Sequence, residues 1–146
     1  AAIHGRRVVL PSPARRPVTS MNGLLLAGAL VISGWASAYS PGVMDATVAA
    51  RMESGYWFTA PPHDWYTVAG YIAVNDCKRV GETATLIDPG GREWRVLVAD
   101  CGGPGEGQGA DWMTTNGIVA EMDAALWQRL TATHGRPLAI EVRYDG

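Results

Sequence analysis

The sequence predicts a small, mainly β barrel with a helix near its N-terminus and one late helix. Three observations lead there. Short runs of β-branched and apolar residues recur between clusters of Gly, Pro, Asn and Asp. Two of them, Thr83–Ile87 and residues 94–99, are joined by Asp88-Pro89-Gly90-Gly91, which is hairpin chemistry. Helical spacing of apolar residues is confined to two stretches, each with its own start and stop signals.

The first helix opens at Ser40-Pro41, because Ser can cap a helix and Pro fits its first position. Met44, Val48 and Met52 then repeat every four residues until Gly55 ends the pattern. This face suits packing. Residues 56–66 hold Pro61-Pro62, His63 and the aromatics Trp57, Phe58 and Trp65, so an irregular loop is predicted. Its aromatics could stack on sugar rings or plug one end of the barrel. Strands follow at 68–74, at Thr83–Ile87, at 94–99, at 117–121 and at 138–144. Between the last two, Asp123 caps a helix through Thr131 that turns Leu126, Trp127 and Leu130 inward. Residues 102–109 contain five glycines and predict a loop. His134 falls where it can meet the late helix's terminal carbonyls, a structural role.

Charge is unevenly spread. Formal net charge is −2, yet residues 1–38 hold four arginines and no acid. The rest carries all fourteen acids against eight bases, a net of −6. An acidic barrel without a basic stripe excludes nucleic acid as a partner, since phosphate binding needs clustered Lys and Arg. Residues 1–20 have no periodic apolar pattern and read as a disordered or non-native leader. The apolar run Gly23-Leu24-Leu25-Leu26-Ala27-Gly28-Ala29-Leu30-Val31-Ile32 ends in Ser37-Ala38, after upstream arginines. That is the pattern of a secretory signal over 21–38, cleaved after Ala38. An uncleaved anchor, or a buried first strand from Ile32 to Tyr39, are the alternatives.

Export fits the cysteines. Cys77 and Cys101 are the only two. With no histidines nearby they make a poor zinc site, and an even count in an oxidising compartment favours a disulfide. No metal or cofactor motif stands out. Gly102-Gly103-Pro104-Gly105 lacks the lysine and the strand–helix setting of a phosphate loop.

The chemistry concentrates at Val96-Leu97-Val98-Ala99-Asp100-Cys101-Gly102-Gly103-Pro104. An acid leaving a buried strand beside a glycine loop is well placed for catalysis or ligand binding. It could equally cap the turn by bonding the glycine amides.

This segment resembles the strand-Asp-Gly-Pro segment of the double-psi β-barrels of rare lipoprotein A, barwin and the expansins. Glu121-Met122-Asp123-Ala124-Ala125-Leu126-Trp127-Gln128-Arg129-Leu130 resembles the segment that opens the family's late helix. Gly135-Arg136 and residues 138–142 match its closing strand. The resemblance covers roughly 68–144 and implies a six-stranded double-psi barrel over 67–146, preceded by the helix and aromatic loop at 39–66. It implies a groove for cell-wall polysaccharide, with Asp100 as the principal acid and Glu121 as its partner. In lytic members such a carboxyl moves the proton at the glycosidic oxygen, as a peptidoglycan lytic transglycosylase or glycoside hydrolase requires. Two positions depart from the pattern: Asn75 stands where those enzymes have histidine, and Cys101 where they have arginine. Asn75, Asp76 and Asp111 are further candidates near the groove.

Three functional classes follow. One is a secreted, monomeric glycan-cleaving enzyme, free of the membrane once its signal is removed. Another is a noncatalytic wall-binding module that stacks sugar on Trp57, Trp65 or Trp112. The third is a scaffold anchored through residues 23–35.

Overall fold

The computed structural model describes residues 29–102 and 109–145. The expected disorder of residues 1–20 and most of the glycine loop lie outside them. Six strands close into a barrel: β1 (Ala29–Ala38), β2 (Gly70–Val74), β3 (Thr83–Ile87), β4 (Glu93–Cys101), β5 (Ile118–Met122) and β6 (Ala139–Asp145). Their order around the barrel is β1-β5-β2-β4-β3-β6. Among the described residues three α-helices accompany them: α1 (Val43–Ser54), α2 (Gly109–Thr115) and α3 (Ala124–His134).

The largest departure from the sequence pattern is β1. The Ala-x-Ala ending predicts a signal cleaved after Ala38, but residues 29–38 are a barrel strand. β1 runs parallel to β5 and antiparallel to β6, with Ala29 to Trp35 opposite Asp145 to Ala139. Cleavage after Ala38 would remove one stave of the closed barrel. The barrel therefore begins at β1 and not at residue 67, and the first helix is an insertion between β1 and β2. That helix is capped differently too. Gly42, not Ser40, occupies its N-cap, and no side chain caps it.

The other elements follow local chemistry closely. Gly55 closes α1 in the left-handed conformation. Asp88 holds the β3–β4 hairpin by accepting from the Gly90 and Arg92 amides at 2.8 and 3.0 Å and from Trp94 Nε1 at 3.0 Å. Burial alone would push this carboxyl up, but those bonds and His134 hold it below its usual range. His134 thus serves Asp88, with Nε2 3.4 Å from Oδ2, and ties α3 to the hairpin.

Asp123 joins α3 to the barrel. One oxygen accepts from Leu126 N at 2.8 Å, the N-cap bond, and the other from Tyr71 N on β2 at 2.6 Å. Asp123→Ala removes the cap and orphans a strand amide. Together these cost about 2–4 kcal/mol, and urea denaturation of the variant checks the figure.

Two crossings define the topology. β2 and β3 lie on opposite sides of β4, so the chain between them passes over the end of β4. There Gly81 N donates to Val98 O and Val98 N to Glu82 O, both at 2.9 Å. Gly81 has φ +107°, and a Cβ on it would sit 1.6 Å from Thr59 O, so only glycine fits beneath the loop. Likewise β5 and β6 flank β1, and the chain carrying α3 crosses it; Ala36 N donates to Leu138 O at 2.9 Å.

Cys77 and Cys101 form a disulfide that pins the first crossing to the end of β4. With the partners 24 positions apart in sequence, loop closure contributes about 3.5 kcal/mol.

The interior is filled by Ile72, Val74, Leu86, Val96, Val98, Met122 and Val142, with Leu126 and Leu130 of α3 packed in. A second, smaller cluster forms where Met44 and Val48 of α1 cover Ala73 and Ala99, bordered by Tyr39, Trp65 and Tyr71. This cluster sets the floor of the candidate site.

Candidate functional site

Asp100 and Glu121 come from different strands, and the sheet register brings them together. Ser37 of β1 is opposite Glu121 of β5, Glu121 is opposite Ala73 of β2, and Ala73 is opposite Asp100 of β4. These four residues form one row across four neighbouring strands. Directly opposed residues share a face of a sheet, so the two acids flank the small Ala73. Their Cα atoms are about 10 Å apart by strand spacing.

A β-bulge precedes each acid. From Ile72 to Ala73 the partner on β4 advances from Val98 to Asp100, leaving Ala99 unpaired. From Trp35 to Ala36 the partner on β5 advances from Ile118 to Ala120, leaving Val119 unpaired. Bulges re-aim the side chains that follow them. Gly34 permits the second one: a Cβ there would lie 2.6 Å from Val119 Cγ1 and 2.8 Å from Gly117 O.

Arg51 of α1 satisfies the first bulge. Its Nε donates to the unpaired Ala99 carbonyl at 2.7 Å, its Nη2 reaches Asp100 Oδ1 at 3.1 Å, and its Nη1 donates to Tyr56 O at 2.9 Å. Tyr39 donates its hydroxyl to the other Asp100 oxygen at 3.0 Å. Both oxygens of Asp100 are therefore held by donors, which fixes the orientation of its carboxyl group. Burial pushes the Tyr39 phenol far above its usual range, the charges of Asp100 and Glu121 add to this, and Arg51 opposes it. Tyr39 stays protonated and keeps donating.

Glu121 lives in the opposite environment. It is only 5 % exposed. Ser37 Oγ donates to its Oε2 at 2.9 Å, and Oε1 is buried without a partner among the described residues. Burial raises its pKa, the Ser37 bond pulls the other way, and the nearby Asp100 charge raises it further. Asp100, held by donors at both oxygens, thus shares the row with a carboxyl that burial makes costlier to ionise. That division lets two carboxyls act as acid and anion in the same reaction.

The remaining candidates are more scattered. Asn75 follows β2 and donates to Thr114 Oγ1 of α2 at 3.0 Å, and its own Oδ1 is buried without a partner among the described residues. Asp76 caps the 3-10 turn at Cys77–Arg79 by accepting from Lys78 N. Asp111 belongs to α2, but its side chain lies outside the described residues. Trp112, also on α2, is half-buried. Trp57 packs against the main core and Trp65 against the second cluster. The exposed aromatics are instead Tyr56, Phe58 and Tyr66.

Ser37, Tyr39 and Arg51 are functional neighbours that sequence patterns did not mark. Ser37 falls inside the apparent signal, and Tyr39 directly follows it. Their spacing of two, polar within an apolar run, is the trace of a strand face. Arg51 carried no signal beyond the polar side of an amphipathic helix.

Among the described residues no three His, Cys, Asp or Glu side chains cluster as metal ligands. No helix among them is long and apolar enough to cross a membrane. No family model, curated protein or solved structure matches the chain.

Proposed function

We propose that the chain is an exported, monomeric double-psi β-barrel, similar to rare lipoprotein A, barwin and the expansins, that binds cell-wall glycan and cleaves its glycosidic bonds. The observation that carries this reading is the row Ser37–Glu121–Ala73–Asp100, which sets a buried carboxyl with a raised pKa beside a carboxyl held by donors at both oxygens. The two crossings over β4 and β1 support the double-psi topology. The disulfide supports an oxidising compartment. An export signal compatible with this barrel ends before Ala29, because β1 has to remain.

In the reaction, Glu121 donates its proton to the glycosidic oxygen, since an alkoxide is a poor leaving group near neutral pH. Positive charge then develops at the anomeric carbon. Asp100, fixed by Arg51 and Tyr39, stabilises it until a water adds to that carbon and passes a proton back to Glu121, which restores the acid. This reverses the roles implied by the family resemblance: Glu121 is the acid and Asp100 the anion.

The test is release of soluble sugar fragments from purified peptidoglycan by the full chain, with Asp100→Asn alongside. Asp100→Asn is expected to lower release by at least about a hundredfold with its thermal transition retained. Co-sedimentation of the parent with no release would support the noncatalytic module instead. Neither binding nor release would overturn the glycan reading.

A further inference from the structure

The loop after α1 has an alternation that neither the barrel nor the acid pair explains. Trp57 turns inward against the main core, while Tyr56 and Phe58 on either side are 74 and 65 % exposed. Two large aromatic rings are thus left in water two residues apart, which is unfavourable unless something covers them. The loop is also firmly placed. Thr59 N donates to Val80 O at 2.9 Å, and the Thr59 carbonyl sits over Gly81. Arg51 binds the Tyr56 carbonyl, and its guanidinium lies 5.6 and 5.7 Å from the Tyr56 and Trp57 ring centres.

Arg51 therefore joins this loop to Asp100 through a single side chain. Its three donor nitrogens are engaged by Ala99 O, Tyr56 O and Asp100. Arg51 is thus not free for an anionic ligand, and the two acids repel one. The loop beside the Arg51–Asp100 pair presents the exposed ring of Tyr56, with that of Phe58 two residues on, next to a carboxyl group. An uncharged ring that is apolar on its faces and hydroxylated at its rim, a pyranose, matches both.

We infer that Tyr56 and Phe58 form an aromatic subsite that stacks a sugar ring of the glycan next to the bond flanked by Asp100 and Glu121, and that Arg51 positions this subsite relative to Asp100. The inference rests on the glycan reading and adds to it where the polymer lies. Tyr66 supplies an internal control. It is 69 % exposed, but its neighbours Asp64 and Thr67 are tied to Arg95. Arg95 precedes Asp100 by five residues on β4, roughly 16 Å along the strand.

The experiment is co-sedimentation of the full chain with purified peptidoglycan sacculi, comparing the parent, Tyr56→Ala/Phe58→Ala and Tyr66→Ala. The double variant is expected to bind at least tenfold more weakly with an unchanged thermal transition, since both rings are exposed. Tyr66→Ala is expected to bind like the parent. A double variant that binds like the parent overturns the subsite and leaves the glycan reading standing. So does a loss in Tyr66→Ala equal to that of the double variant, which would mark nonspecific adhesion through exposed aromatics. A parent that does not sediment overturns both. Arg51→Lys separates positioning from charge: a weakened affinity with the positive charge retained supports the role given to the guanidinium fork, and parental affinity removes it.

Discussion

Glu121→Gln is expected to lower glycan release by about 10²–10⁴-fold, the usual worth of a general acid, while leaving wall binding intact. The substitution preserves shape, and an amide oxygen still accepts from Ser37 Oγ. It removes only the transferable proton. Because Glu121 is buried and its Oε1 lacks a partner among the described residues, the wild-type carboxyl is also costly to ionise. The stability consequence has a definite sign. A raised carboxyl pKa means that the unfolded chain ionises first as pH rises. The folded state then loses stability between the ordinary Glu value of 4.5 and the raised folded value. Gln has no such loss. Thermal melts should therefore show the variant gaining on the parent as pH increases above that ordinary value, with the two most alike in acid. A variant that keeps full activity would remove Glu121 as the acid. A stability difference independent of pH would mean that its carboxyl is not held protonated by the fold.

The contrast with Asp100 explains why two acids in one row do not compete for one role. Asp100 is met by a guanidinium at 3.1 Å and a phenol at 3.0 Å. Glu121 is met by a serine hydroxyl and is otherwise buried, with the Asp100 charge nearby. The first environment supplies donors to both carboxyl oxygens, and burial in the second makes ionisation costly. Both follow from single residues: Arg51 on a helix inserted after β1, and Ser37 on β1 itself.

Much of the fold was legible because its signals are local. Thr83–Ile87 is a strand at the predicted bounds, Asp88-Pro89-Gly90-Gly91 turns the hairpin, and Asp123 caps α3. Each depends on residues within four or five positions of one another. The seven-residue α2 was not foreseen, since it follows a glycine-rich stretch and has too few turns to show a period. The acids were legible as residues, but their surroundings were not. Ser37 is 84 positions from Glu121, Tyr39 is 61 from Asp100, and Arg51 is 49 from it. No local pattern encodes such pairings. They arise only when the two crossings bring β1, β5, β2 and β4 side by side. Trp57 and Trp65 illustrate the same limit: a loop tryptophan can face water or core, and both here lean on packed clusters while their neighbours Tyr56, Phe58 and Tyr66 are exposed.

A chain beginning at Tyr39 is expected not to fold. Residues 29–38 are apolar enough to imitate the end of an export signal, and hydropathy alone does not separate the two readings. Their hydrogen bonding does. β1 pairs with β5 on one side and β6 on the other, and β6 is matched over its whole length from Ala139 to Asp145. Removing β1 opens the barrel, exposes two unpaired edges and uncovers Ile118, Ile140 and Val142, which are otherwise 2, 3 and 0 % exposed. On the order of ten ladder bonds disappear at ~0.5–1.5 kcal/mol each. That alone rivals the ~5–15 kcal/mol holding a domain of this size together. The deletion also takes Ser37 away, so Glu121 loses its single hydrogen-bond partner among the described residues. Far-UV circular dichroism and a thermal scan decide the matter: the full chain melts cooperatively, whereas residues 39–146 show no transition and aggregate. A cooperative melt of the shorter chain near the parental temperature would mean that β1 is dispensable, and would restore cleavage after Ala38 as the boundary of the mature protein.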